Sequence, residues 1–507
     1  MEQQLLGVIF SVPFILCLLL LSLLLLVYKF TGHGRINQLL PPSPPKLPVI
    51  GNLHQLGKLP HRSLRALSEK YGPLMLLHLG QAPTLVVSSA DTAREVMKTH
   101  DTVFSNRPKT TAADIFFYGC VDVGFSPYGE YWRQAKKICV LELLSGKRVQ
   151  SFHYVMEEEV KGLVDRIRCA SLEGSSVNLS EMLVATSNNV ISRCVLGRKA
   201  DEEVGKSKYG ELSRRLLQQF TDFSFGDILS SLGWMDYITG LVPKLKATSR
   251  AFDALLDKVI EEHNIRDKDD DERFAGNDFV HILLRHQKCD RLDIPLTRDN
   301  LKAILMDMFV GGTDTSSTTL EWAMAELLKN PNVARKVQEE VRSIVRKKPK
   351  VEPADIKQMY YLKCIIKETL RLHPAAPLLV PRETSSSVEI GRYRIPPKTR
   401  VLVNALAIQT DPKLWRNPEG FSPERFENNP TDYKCQEYHL IPFGGGRRMC
   451  PGITFGVTFM ELLLANLLYW FDWKLANEEP GEDLDMTECF GLTVHKKVPL
   501  YVVPTLI

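Results

Sequence analysis

The stretch Phe443-Gly444-Gly445-Gly446-Arg447-Arg448-Met449-Cys450-Pro451-Gly452 governs how the rest of this 507-residue chain is read. Consecutive glycines let a backbone turn tightly and aim several N–H groups into one small space. An apolar run follows (Phe455, Val457, Phe459, Met460, Leu462, Leu463), so Cys450 stands just ahead of an expected helix N-terminus. N–H groups and a helix N-terminus both stabilise a negative sulfur, which suits a thiolate bound to iron. Arg448, two residues earlier, can reach an anionic group on the same ligand. A phosphate cradle is the weaker reading, because the Gly-Lys-Ser/Thr of a P-loop is missing. A plain turn with a buried thiol stays open on these residues alone.

Upstream, Leu301, Ile304, Leu305, Met308 and Phe309 follow the i, i+3, i+4, i+7, i+8 spacing of a buried helical face. The pattern continues through Trp322, Ala323, Leu327 and Leu328 until Asn330-Pro331 stops it. Inside it lies Gly311-Gly312-Thr313-Asp314-Thr315-Ser316. A helical glycine costs about 1 kcal/mol relative to alanine. Two together, followed by Asp-Thr, predict that a ligand approaches the backbone and that the helix opens locally. A flexed core helix with a capping Asp/Thr is the plainer alternative. Strand signals are fewer: Leu85-Val86-Val87, and Val401-Leu402-Val403 after the turn Pro396-Pro397. The expected fold class is mainly α with small β-sheets.

Composition is ordinary for a globular chain, 44% hydrophobic and 24% charged, which excludes a disordered, collagenous or multi-span membrane protein. A net charge of +4 over this length gives no reason to propose a nucleic-acid partner. The ten cysteines form no CxxC, so a zinc knuckle or thioredoxin motif is absent, and scattered thiols suit a reducing compartment. From Leu5 to Tyr28 there is no charged residue. That run is long enough to cross a bilayer and too long for the apolar region of a signal peptide. Lys29, Arg35 and Lys46 follow it, and the positive-inside rule then leaves the body in the cytosol. Pro41-Pro42-Ser43-Pro44-Pro45-Lys46-Leu47-Pro48 reads as a stiff spacer. The expected organisation is a membrane anchor at 1–29, a proline-rich hinge at 30–50 and one catalytic body at 51–507. The polar run from Arg266 to Asp278 reads as a solvated loop.

With these pieces in order, the chain resembles the haem-thiolate monooxygenases, the cytochrome P-450 family. Phe443, Gly446, Arg448, Cys450 and Gly452 fit its F-x-x-G-x-R-x-C-x-G signature. Lys367-Glu368-Thr369-Leu370-Arg371-Leu372-His373-Pro374 and the proline hinge make it most similar to the plant microsomal A-type group. The resemblance implies a cytochrome P-450 fold on a single N-terminal transmembrane helix, in the endoplasmic reticulum membrane. It also implies haem b, O2, and electrons from NADPH through NADPH–cytochrome P-450 reductase.

The same resemblance assigns residues. Cys450 would be the axial iron ligand, with Phe443 and Gly312 at the cofactor. Thr315 would be the hydroxyl at the oxygen-activating face, and Asp314 would help deliver protons. Gly311 stands where plant relatives often carry alanine, which slightly enlarges the pocket. Trp132 and Lys136 would meet a haem propionate, although lysine lacks the fork of the commoner arginine. Arg382 and Arg448 are the stronger propionate candidates. Arg133, Lys136 and Lys137 could instead belong to a basic face for the electron donor. Glu368, Arg371 and Arg425 would be structural, shaping the loop that presents Cys450. Ile115, Phe116, Phe117, Leu305, Met308, Phe309, Leu378, Leu379, Val380, Phe490 and Leu492 would line an apolar pocket. An apolar lining suggests a hydrophobic plant specialised metabolite, a terpenoid first, with alkaloids and phenolic lignans as alternatives. An oxygen-independent isomerase or dehydratase on the same fold usually lacks the acid–threonine pair. A non-catalytic haem-binding membrane protein would have little use for the broad pocket.

Overall fold

The striped segment forms one helix, Arg298–Lys329, and its boundaries follow from local chemistry. Thr297 caps the start, its hydroxyl accepting from the Asn300 N–H while the Asn300 side chain accepts from the Thr297 N–H. Asn330 ends it, and Pro331 opens the next helix, where its missing N–H costs nothing. This long helix is buried over most of its length and packs most extensively on Leu179–Leu196, Tyr360–Leu372 and Ile453–Trp470. The computed structural model describes residues 16–23, 39–198, 208–266, 278–288, 293–428, 433, 437–476 and 481–507.

Ile453–Trp470 is apolar enough to span a bilayer, but its Phe455, Phe459, Leu463 and Leu467 lie in the main core. It is a central core helix, as the run after Cys450 required. The β component is small. Both expected strands exist and are parallel neighbours, pairing Leu85 with Val401, Val86 with Leu402 and Val87 with Val403. Leu74–Leu79 and Arg382–Glu383 complete a four-stranded sheet, and three smaller sheets accompany it among the described residues.

The proline stretch differs from a free spacer, because the body holds it. Leu76 donates its N–H to the Pro42 carbonyl at 2.9 Å. The Asn52 amide donates to the carbonyls of Pro44 and Pro45 at 3.4 and 3.2 Å. Prolines cannot donate, but their carbonyls accept, and this stretch uses them to dock. Most of the expected anchor lies outside the described residues; 16–23 is helical. Residues 267–277, most of the polar run, also lie outside them.

Candidate active site

The Cys450 loop is built as its glycines require. Gly444 and Gly446 take positive φ of 69° and 65°. A side chain at Gly446 would meet the Met97 carbonyl at 2.3 Å, so only glycine fits there. The Cys450 N–H donates to the Phe443 carbonyl at 3.0 Å, closing the loop, and Phe443 packs edge-on to Tyr433. The Gly452 N–H donates to the sulfur at 3.3 Å. Cys450 retains accessible surface even though dense protein surrounds it. Burial pushes its pKa up, while the Gly452 N–H and the Lys136 ammonium act in the opposite direction. Lys136 lies beside the thiol and donates to the Met449 carbonyl at 2.6 Å, away from the Arg448 guanidinium's partners.

The long helix meets the same region. Position 456, one and a half turns past Cys450, packs on Ser316, with 3.6 Å between its missing Cβ and the hydroxyl. Gly311 is exposed in the middle of this otherwise buried helix, and a Cβ there would find nothing within 4 Å. Gly312 serves a different purpose from the one expected. A Cβ on it would strike Ile191 at 2.3 Å, and its carbonyl accepts from Ser187. Gly312 is therefore small because two helices cross there, and Gly311 is the glycine that opens onto space. The expected local opening is also not seen. The helix runs unbroken, and the Thr315 hydroxyl donates back to the Gly311 carbonyl at 2.8 Å.

Asp314 is half-buried and accepts a hydrogen bond from the Thr493 hydroxyl. Thr493 belongs to a segment stitched along one side of the helix: Trp322 donates to the Val494 carbonyl at 2.9 Å, and the Lys496 N–H reaches Glu321. Local sequence does not single out Thr493, because the contact spans 179 positions.

On another side of the loop, guanidiniums gather. Arg448 donates to the carbonyls of Ser105, Val123 and Ser126 at 2.7, 3.1 and 2.5 Å, using three of its five N–H bonds. Trp132 lies under it, 4.3 Å from ring centre to guanidinium, and donates its indole N–H to the same Val123 carbonyl. Arg382 donates to the Gly445 carbonyl at 2.6 Å and to Asp101 at 3.4 Å. Arg107, absent from the sequence reading, donates to the carbonyls of Gly124, Val380 and Pro381. Burial and its two arginine neighbours lower the Arg107 pKa, and burial lowers Arg448 to about 9. Arg448 and Arg107 spend their hydrogen bonds on backbone carbonyls and none on a carboxylate, an arrangement that fits an anionic ligand edge.

The Glu368 side chain is fully buried and holds two arginines. Arg371 reaches it bidentately, with both bonds at 2.8 Å, and Arg425 adds a third at 3.0 Å. Arg371 also donates to the carbonyls of Gln409, Pro418 and Gly420. Gln409 carries the connection onward, donating to the Arg371 carbonyl and accepting from the Ile441 N–H, two residues before Phe443.

The expected apolar pocket is divided. Leu379, at positive φ, sits against Gly444, while Val380 and Phe490 keep accessible surface and Ile115, Leu378 and Leu492 are half-buried. Phe490 stacks on His61. Phe116, Phe117, Leu305, Met308 and Phe309 are instead packed into the main core. Phe117 stacks on Phe125 and lies tilted against Phe220, which sequence spacing could not foresee.

Comparison with known proteins agrees with this geometry. The cytochrome P450 family model matches residues 41–502. Phenylacetaldehyde oxime monooxygenase of Prunus mume is 54% identical, covering 98% of this chain and 95% of that protein. Desmethylyatein synthase of Sinopodophyllum hexandrum is 50% identical over 92% of this chain and 93% of that one. A zebra fish cytochrome P450 structure with progesterone superposes at a TM-score of 0.76 with 26% identity, covering 88% of this chain and 99% of that one. The chain belongs to the cytochrome P450 family and is a haem-dependent monooxygenase that uses O2 and NADPH-derived electrons.

Proposed function

We propose that Cys450 is the axial thiolate of haem b and that the enzyme oxygenates a hydrophobic plant specialised metabolite held above Gly311. The observation that carries this reading is the accessible Cys450 sulfur beside a long helix on which Gly311 is exposed, with nothing within 4 Å of where a Cβ would stand. Haem bound there supplies the activation of dioxygen and its transfer to carbon. The chain supplies the rest. The Gly452 N–H and the Lys136 charge favour the anionic sulfur, against burial, which acts the other way. Arg382 and Arg448, with Trp132 beneath, meet the two carboxylates on the cofactor edge, and the two unused Arg448 N–H bonds are available for one of them. Asp314, steadied by Thr493, holds a carboxylate near Thr315 from which protons move inward.

A direct consequence concerns Thr315. Its alanine variant is expected to keep haem and reduce normally, but to release electrons as peroxide. Product formed per NADPH should fall on the order of 100-fold, the low end of a general acid–base contribution. Paired measurement of product and peroxide checks this; tight coupling in the variant would remove Thr315 from proton handling.

A terpenoid is the substrate class read first from the apolar lining. A nitrogen-bearing or phenolic substrate is the second reading. It is favoured by relatives whose names record phenylacetaldehyde oxime and strychnine hydroxylation, the latter from Strychnos nux-vomica at 48% identity. Electrons arrive from NADPH–cytochrome P-450 reductase. It docks at a groove of about 410 Å³ where Arg133, Lys137 and Arg447 surround exposed Val140 and Leu141, on the side of Lys136 and the thiol. The apolar run from Leu5 to Tyr28 anchors the protein in the endoplasmic reticulum membrane with residues 51–507 in the cytosol.

The test is turnover by this chain with a plant reductase and NADPH, offered mixed terpenoid, alkaloid and phenolic substrates under oxygen-18 dioxygen. A labelled product establishes oxygen insertion and names the class. Product that needs no NADPH and carries no label overturns the reading in favour of rearrangement.

A further inference from the structure

Two aspartates that the chemistry above does not use face each other beside the arginine cluster. Asp307 lies on the long helix one turn before Gly311, and Asp122 lies on the connection that leads to Trp132. Their carboxyls converge on Gly124, where an added Cβ would stand 3.1 Å from an oxygen of each. Asp307 accepts from two backbone donors, the Val123 N–H at 2.6 Å and the Gly124 N–H at 3.3 Å, one on each oxygen. Asp122 accepts from the Phe125 N–H at 2.8 Å through one oxygen, and its other oxygen is buried with no donor. Two buried carboxylates in contact cannot both be charged, so they share a proton. Asp122 accepts one N–H and Asp307 accepts two, so hydrogen bonding favours the proton on Asp122.

The segment 122–126 is thereby polarised across its width. The N–H groups of 123, 124 and 125 all go to the two aspartates. The carbonyls of 123, 124 and 126 go to Trp132, Arg107 and Arg448. Each side of the strip fixes the other, and the long helix is bonded through it to the groups around the Cys450 loop. We propose that Asp122 and Asp307 form a one-proton carboxyl pair that fastens segment 122–126 to the long helix and so positions Trp132 and Arg448 for the anionic edge of the haem. The last clause rests on the reading of Arg448 given above; the fastening does not.

Burial raises both carboxyls. A group whose folded pKa is raised contributes stability at low pH and loses it as pH rises through the folded value. The pair therefore lets go on the alkaline side, when its last proton leaves. Arg448, Arg107, Tyr131 and Cys139 also face it, so the pH response needs a variant that separates them.

Asp122→Asn supplies that variant, since its amide donates to Asp307 at every pH, while Asp307→Asn turns an acceptor of two N–H groups into a partial donor. Hydrogen exchange at Val123 and Gly124 and haem content per chain are measured for both from about pH 6 to about 10, upward from the value to which burial raises Asp122. Asp122→Asn is expected to keep wild-type exchange and haem content at pH 7 and to lack the alkaline loss shown by wild type. Asp307→Asn should exchange these amides at least tenfold faster and hold less haem at every pH. Matching behaviour of the two variants, or an alkaline loss that persists in Asp122→Asn, overturns the pair. Faster exchange in Asp307→Asn with full haem content would retain the fastening and overturn its role toward Arg448.

Discussion

Replacing Cys450 with alanine is expected to abolish the thiolate-type carbon monoxide spectrum and all NADPH-dependent product formation. Met449 points its carbonyl to Lys136, and a haem that bound at all would have to find a nitrogen or water ligand. A thiolate donates electron density that a neutral ligand does not, and cleavage of the O–O bond depends on it. The fold should survive, because removing one accessible sulfur deletes little packing. The check is the reduced carbon monoxide difference spectrum beside thermal unfolding of the same sample. A retained thiolate-type spectrum in Cys450→Ala would show that another cysteine is the ligand.

Replacing Arg371 with alanine should do the reverse and remove the fold. Breaking a buried ion pair costs about 3–5 kcal/mol, because the partner charge stays behind. Here the carbonyls of Gln409, Pro418 and Gly420 also lose donors, at about 1–3 kcal/mol for each buried acceptor left unsatisfied. Arg425 relieves part of this for Glu368 and Gly420. The sum is comparable to the whole stability of a typical domain, about 5–15 kcal/mol. Arg371→Lys should rescue little, since one ammonium cannot make the bidentate contact and reach three carbonyls as well. Expression should give aggregated or haem-free protein. Soluble Arg371→Ala that binds haem and melts within a few degrees of wild type would place the cost elsewhere.

Both variants act on one short loop from opposite directions, and the loop shows how the two levels of information divide. Gly444 and Gly446 were legible from sequence because local backbone geometry demands them, through positive φ at both and close approach at Gly446, and Cys450 was legible as the sulfur that ends their turn. The extent of the long helix was legible for a similar reason, since periodicity and an Asn-Pro stop are local facts. Gly311 and Gly312 mark the limit. Both glycines were visible as an anomaly, but which one faces space and which one faces Ile191 depends on a helix more than a hundred residues away.

The same division holds for charge. Arg448 and Arg382 stood in motifs and could be named in advance. Arg107, Asp122, Asp307, Gln409 and Thr493 are important only for what folding brings to them, at separations of up to several hundred positions. The apolar residues were the least legible. Phe117 and Leu379 look alike in sequence as hydrophobic residues, yet one is sealed among aromatic rings and the other abuts the Cys450 loop. Sequence alone determined the family chemistry, because its requirements are local: a cysteine in a glycine turn and an acid–threonine pair on a helix. Tertiary structure decided which groups support that chemistry, because burial, counter-charge and hydrogen-bond partners are properties of neighbours in space.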